Sequence, residues 1–206
     1  MNYLLYRLLT KSTRKIREFF FFYFNRLIFY LSGIHYGKKL RITNHLYLNI
    51  DKRSQISIGN NFTFTSGEAF NPLCRNIRGA IYAIKNAQII IGNNVGISSA
   101  CLWIHSSLKI GDNVKIGGDC IIMDTDAHSL NYKERRIFQD DFKNSKSSPI
   151  IIEDDVLIGA RCIILKGVKI GKQSIIGSGS IVTKDIPPCC IAAGNPCKVI
   201  RYIEKI

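Results

Sequence analysis

From residue 104 onward, aliphatic side chains recur at every sixth position: Ile104, Ile110, Ile116 and Ile122, then Ile152, Ile158, Ile164, Ile170, Ile176 and Val182. Glycine follows at Gly111, Gly117, Gly159, Gly171 and Gly177, and earlier copies stand at Ile58-Gly59 and Ile91-Gly92. A period of six matches neither the 3.6-residue helix nor the two-residue alternation of a long strand. It fits a short strand followed by a turn, with three such units closing a triangular coil and coils stacking at a spacing of about 4.8 Å. One aliphatic residue per unit then points into the prism and stacks on its counterparts above and below. The glycine turns the corner, where a positive φ is expected. No coil buries its apolar face alone, so stability comes from neighbouring coils. About six coils fit between residues 48 and 186. The step from Ile97 to Ile104 is seven, and the early copies run out of phase with the later ones, so irregular coils are expected toward the amino terminus.

The rhythm halts after Ile122 and resumes at SPIIIEDDVLIG. The interruption, 124–148, holds Asp124, Asp126, His128, Lys133, Glu134, Arg135, Arg136, Asp140 and Asp141. A solenoid can eject such a loop because its ends return to adjacent coils, and long ordered loops on rigid scaffolds often carry function. Histidine takes up a proton near neutral pH. A carboxylate on one ring nitrogen would hold the tautomer and stabilise the imidazolium, leaving the other nitrogen to accept a proton from a substrate hydroxyl. Asp126 or Asp124 is the expected source of that carboxylate.

Residues 1–45 read differently, as a basic and aromatic helical segment. Up to residue 42, nine cationic side chains stand against Glu18 alone. Asn25 and Arg26 interrupt the apolar run from Phe19 to Leu31, well short of the roughly 20 residues a membrane-spanning helix needs. Two readings stay open: a helix lying in the membrane interface with its cations near anionic headgroups, or a helix packed on the domain or on a neighbouring subunit. The aromatics form a block and no nucleic-acid motif accompanies them, so nucleic acid is not an expected partner.

The chain's 206 residues suit one domain plus this appendage, and 46% apolar with 21% charged residues describes a soluble globular protein. Its seven cysteines show no CxxC pair and no zinc spacing, so no metal is expected. Scattered thiols and the lack of a signal-peptide pattern predict a cytoplasmic location. Cys120 and Cys162 occupy repeat positions where a small residue belongs and are read as packing.

Two stretches, DTDAHSLNYKERR and IIIEDDVLIGARCIILKGVKIGKQSIIGSGSIVTKDIPPCCIAAGNPCKVIR at 150–201, carry a resemblance that extends over roughly residues 55–203. The sequence resembles the hexapeptide-repeat acyltransferases, in the branch that acetylates sugars of capsules, lipopolysaccharide O-antigens and exopolysaccharides, and more distantly the maltose and galactoside acetyltransferases. The resemblance implies an all-β solenoid, a left-handed parallel β-helix over 46–190 with a catalytic loop at 124–148, followed by a cofactor-contacting tail at 191–206. It further implies a homotrimer with acetyl-coenzyme A lying between two prisms. His128 takes the role of general base. Gly159 and Ala160 would line the thioester end, with the Ala160 N–H stabilising the oxyanion. Ser178 and Gly179 would pass the pantetheine arm, Thr183 and Lys184 would meet the later part of the cofactor, and Arg201 its phosphates. Ser98 and Arg136 are candidates for the acceptor, with Ser99 and His105 weaker. Leu157 departs from the tryptophan that many relatives carry in the DDVWIGA stretch.

The resemblance implies direct acetyl transfer to a sugar hydroxyl of a cell-surface polysaccharide or its lipid-linked precursor. N-acetylation of an amino sugar is the alternative. A zinc hydratase on the same fold would need three convergent histidines, and only His105 and His128 lie among the repeats. A non-catalytic, partner-binding solenoid would tolerate the loss of His128.

Overall fold

The computed structural model describes residues 3–67, 73 and 77–204. Helix α1 (Tyr3–Leu31) leads into a three-sided parallel β-helix of six coils. The first three coils are β1 (His35–Tyr36), β2 (Arg41–Thr43) and β3 (Tyr47–Ile50); β4 (Gln55–Ile58), β5 (Thr63–Thr65) and β6 (Ala80–Ala83); and β7 (Gln88–Ile91), β8 (Gly96–Ser98) and β9 (Cys101–Ile104). The last three are β10 (Ser107–Ile110), β11 (Lys115–Ile116) and β12 (Ile121–Met123); β13 (Ile150–Ile152), β14 (Leu157–Ile158) and β15 (Ile163–Ile164); and β16 (Lys169–Ile170), β17 (Ile175–Ile176) and β18 (Ile181–Val182). The first face is β1-β4-β7-β10-β13-β16, the second β2-β5-β8-β11-β14-β17, the third β3-β6-β9-β12-β15-β18. A hairpin of β19 (Cys190–Gly194) and β20 (Cys197–Tyr202) continues the second face beyond coil six.

The inward aliphatics form three continuous stacks. Ile58, Ile91, Ile110, Ile152 and Ile170 are in register on the first face, and Phe64, Ile97, Ile116, Ile158 and Ile176 on the second. Each fully buried member contributes about 1.5–3 kcal/mol relative to exposure. The early copies, expected to run out of phase, are therefore in register. The surplus in the sequence falls between β5, which ends at Thr65, and β6, which starts at Ala80, and both strands keep the register. On the third face Leu102, not Ile104, stacks on Ile81 and Ile122. Ile104 lies a pleat further along, buried beside Ala83, which accounts for the seven-residue step. The boundaries also move: β1 and β2 already belong to the faces, so the solenoid starts at His35 rather than at 46, and much of the expected tail is strand.

The repeat glycines have a different cause from the one expected. None of Gly59, Gly92, Gly111, Gly117, Gly159 or Gly171 has a positive φ. A Cβ at Gly92 would lie 2.7 Å from the carbonyl of Gly111 in the next coil, and one at Gly159 2.5 Å from the Ser178 nitrogen. Close approach of successive coils excludes the side chain. Positive φ falls two residues later, at Asn61, Asn94, Asn113 and Gln173, and at the matching Asp155, where Glu153 stands in the glycine's place; asparagine tolerates the left-handed region well. Those side chains form a ladder along one corner: Asn61 donates to Asn94 at 2.7 Å, Asn94 to Asn113 at 3.0 Å, and Asn113 to Asp155 at 3.1 Å.

The open apolar end of the first coil is covered by the last turns of α1. Phe29 is fully buried there, Asn25 Nδ2 donates to the Asn44 carbonyl at 2.9 Å, and Arg26 Nη2 to the Leu40 carbonyl at 2.7 Å. The opposite side of α1 carries Ile16, Phe19, Phe20, Tyr23, Leu27 and Tyr30, all exposed. Among the described residues no helix is long and apolar enough to cross a membrane.

Candidate active site

The loop of residues 124–148 leaves after β12, at the corner between the third and first faces, and its root is pinned to the coils. Asp124 is fully buried, and its carboxylate accepts the backbone N–H groups of His105 and Ser106, each at 2.7 Å. Burial pushes the Asp124 carboxyl up, against those two bonds that pull it down. Thr125 bridges Ser147 across the neck, and Asp126 pairs with Lys166 at 3.1 Å. Beyond the neck, a 3-10 turn at Glu134–Arg136 is followed by α2 (Phe138–Asn144). Lys85, from the turn joining coils two and three, reaches over to hold α2. Its Nζ donates to the Phe142 carbonyl and, at 2.9 Å, to Ser145 Oγ, and lies 4.2 Å from the centre of the Phe142 ring.

This docking brings Asp141 of α2 back to His128. Asp141 Oδ2 lies 2.6 Å from His128 Nδ1, and Oδ1 accepts the Ser129 N–H at 2.7 Å. The His128 ring and then the Ser129 N–H hold the Asp141 carboxyl below the usual carboxylate range. The carboxylate is largely covered, whereas the His128 side chain is 70% exposed and Nε2 is left to solvent. The expected partners, Asp126 and Asp124, are not on the histidine: one is taken by Lys166, the other by the loop root. Sequence reasoning missed Asp141 because several acids share the loop and only the folding of α2 chooses among them.

On the second face, β8, β11 and β14 floor a groove of about 350 Å³ that gathers Ser98, Gly159, Ala160 and Ser178. Thr65, Lys115, Gly117 and Leu157 also line it. Among the described residues no group accepts the Ala160 N–H, which leaves a backbone donor on the groove wall. Lys115 Nζ donates to the Asn94 carbonyl at 2.9 Å, and Ser98 Oγ accepts from Thr65 Oγ1 at 3.1 Å. Gly179 is exposed with φ +76° and open space where a Cβ would stand. Thr183, Lys184 and Arg201 are exposed toward the carboxyl end and do not line this groove. Arg136 sits on the loop with its guanidinium 5.4 Å from the Tyr132 ring centre, away from the groove. No described residue of 124–148 lines it either, so a single chain does not bring His128 and Ala160 into one cavity.

The two weaker acceptor candidates are structural. Ser99 is buried and accepts the Gly67 N–H at 2.8 Å. His105 is buried beneath the loop, where Nε2 accepts from Trp103 Nε1 at 2.9 Å and Nδ1 has no partner among the described residues. Burial, and next the Lys85 charge, push the His105 imidazole down to about 4. Cys120 and Cys162 are buried, each thiol donating to a carbonyl one coil on, Gly159 at 3.1 Å and Gly177 at 3.2 Å. Among the described residues no group of three or more His, Cys, Asp or Glu side chains is placed to hold a metal ion.

Residues 149–184 match the family described as the hexapeptide repeat of succinyl-transferase. The galactoside O-acetyltransferase of Escherichia coli (strain K12) is 44% identical over 127 residues, 60% of this chain and 59% of that protein. A hexapeptide-repeat-containing acetyltransferase from Vibrio cholerae O1 biovar eltor, solved with acetyl coenzyme A, superposes with a TM-score of 0.52 at 30% identity, over 61% of this chain and 66% of that one. AntD, an N-acyltransferase from Bacillus cereus solved with dTDP and 3-hydroxybutyryl-CoA, superposes with a TM-score of 0.65 over 87% and 88% of the two chains; at 19% identity it shows the fold alone. The matched stretches span 25% to 59% of the length of these and other curated relatives. With the coils seen here, these likenesses establish the left-handed parallel β-helix, and the chain belongs to the hexapeptide-repeat acyltransferase family.

Proposed function

We propose that this protein transfers acetyl from acetyl-coenzyme A to a hydroxyl group of a cell-surface polysaccharide or its lipid-linked precursor. The observation that carries this reading is the His128–Asp141 pair, with one ring nitrogen held by an ionised carboxylate and the other open to solvent. In this mechanism Nε2 takes the proton from the sugar hydroxyl as its oxygen attacks the thioester carbonyl. Asp141 stays ionised and stabilises the imidazolium. The Ala160 N–H donates to the developing oxyanion. The tetrahedral intermediate expels the coenzyme A thiolate, and His128 returns its proton to that sulfur. No acyl-enzyme forms, and the buried Cys120 and Cys162 take no part.

The groove on the second face and the loop at a different corner are complementary halves, so the site is completed between copies: His128 of one chain reaches the groove of the next, in a trimer. Ser178 and Gly179 border the pantetheine path, and Thr183, Lys184 and Arg201 lie farther along toward the cofactor's phosphates. Leu157, exposed on the groove floor, leaves more room than a tryptophan would. The exposed apolar stripe of α1, with Lys15 and Arg17 near its margins, suits contact with an anionic membrane surface from the cytoplasmic side.

The test is acetyl transfer with parent and His128→Ala, following thiol release together with mass gain of glycan acceptors. An alkali-labile acetyl group added by the parent, with turnover falling by about 10²-fold or more in the variant, is the expected result. Equal turnover by both would remove His128 from the chemistry, and an alkali-stable product would make the acceptor an amine.

A further inference from the structure

We propose that the acceptor carries a diphosphate, held in a cationic pocket where α1 crosses the first two coils; this rests on the acetyl-transfer reading above. The pocket, about 650 Å³, lies between α1 and the amino-terminal end of the second face. Arg14 and Arg26 of the helix face Lys39 and Arg41 of the first coil, and Glu18 is the one acid among its described lining residues. Four cations against one carboxylate leave a net of three positive charges, an excess that a diphosphate matches and a lone carboxylate does not. Arginine's planar fork suits phosphate oxygens.

The arginines of the helix are oriented in advance. Arg26 is fixed through Leu40 and Phe22, donating to their carbonyls at 2.7 and 2.9 Å with its guanidinium 3.5 Å from the Phe22 ring centre. Arg14 Nε lies 3.0 Å from Glu18 Oε1. Such preorganisation lowers the entropy lost when an anion binds. On the pocket floor, Thr43 Oγ1 is buried with no hydrogen-bond partner among the described residues.

The pocket is also continuous with the groove of Ala160, because Thr63 and Thr65 line both. Ala160 belongs to coil five and Arg41 to coil one, so four strand spacings, about 19 Å, separate the thioester end from the cations. That length accommodates a sugar over Ser98 and Thr65 with its diphosphate under α1. The donor then enters from the carboxyl end of the face and the acceptor from the amino end.

The test is calorimetric titration of the full-length protein with pyrophosphate, beside Lys39→Gln/Arg41→Gln and the control Lys52→Gln/Arg53→Gln, which removes the same charge from the exposed turn between β3 and β4. Parallel titrations with acetyl-coenzyme A and thermal melts report the donor site and the fold. Expected are submillimolar pyrophosphate binding by the parent, at least tenfold weaker binding in the pocket variant, less than a twofold change in the control, and unchanged acetyl-coenzyme A affinity. Equal weakening by both pairs, no binding by the parent, or loss of acetyl-coenzyme A affinity in the pocket variant would overturn the proposal. UDP and micellar farnesyl diphosphate separate the two sources: tighter binding of one than of pyrophosphate identifies a nucleotide or a lipid carrier, and a gain from neither reduces the pocket to an anion trap and refutes it. These titrations need no turnover, so a failure of the acetyl-transfer reading is seen separately in the His128→Ala assay.

Discussion

Asp141→Asn isolates the electrostatic part of the proposed dyad. The substitution keeps the side-chain volume and the Oδ1 that accepts the Ser129 N–H at 2.7 Å, so α2 and the loop stay in place. It removes the negative charge 2.6 Å from His128 Nδ1. A hydrogen bond to a charged group contributes about 1.5–3 kcal/mol. With the His128 side chain 70% exposed, solvent screening reduces that contribution. At 1.36 kcal/mol per factor of ten, kcat should fall roughly five- to thirty-fold. KM for acetyl-coenzyme A should not move, because Asp141 does not line the groove. Thiol release at saturating donor measures both, with Asp126→Asn as the comparison; that residue faces Lys166 and should stay within about twofold of the parent, as expected for a surface ion pair. Parental kcat in Asp141→Asn, or an equal loss in Asp126→Asn, would refute the assignment.

Two further predictions concern stability. His105, ordinarily near 6.5, is held down to about 4 by burial, so between those values the unfolded chain binds a proton that the folded chain refuses. Folding stability present above the ordinary value is therefore lost as pH falls toward 4, by at most about 3 kcal/mol. Urea midpoints at pH 7 and 4.5, read from the single tryptophan, Trp103, should draw together in His105→Gln; a parallel decline in parent and variant would place the acid sensitivity elsewhere. Gly92→Ala should destabilise by about 1–3 kcal/mol through overpacking, since its Cβ would meet the Gly111 carbonyl at 2.7 Å, while Asn94→Gly, which suits the left-handed position and loses only the two exposed ladder bonds to Asn61 and Asn113, should lower the midpoint less. A tolerated Gly92→Ala would show that the coils can separate there.

What the sequence by itself determined was whatever repeats locally. One inward aliphatic per six residues is a property of each short unit, so the solenoid, its three faces and the ejected loop were legible without coordinates, while His128, Ala160 and Ser178 were put forward by the family resemblance rather than by the repeat. What only the tertiary structure decided was each choice among residues distant in sequence. Register among the early coils could not be read across the long stretch between β5 and β6, and the pairing of Phe64 with Ile97 and of Ile81 with Leu102 shows that the strands on both sides of it keep the register. The glycines read as corner residues proved to be clearance for the next coil, a contact no single repeat contains. His128 had several acids within its loop, and the partner was settled by Lys85 drawing α2 against the coils. The cationic pocket joins Arg14 and Arg26 to Lys39 and Arg41 because the buried Phe29 seats the helix on the first coil. Periodicity specifies which side chains face inward, whereas a binding site depends on which distant segments share a surface, and that follows only from their packing.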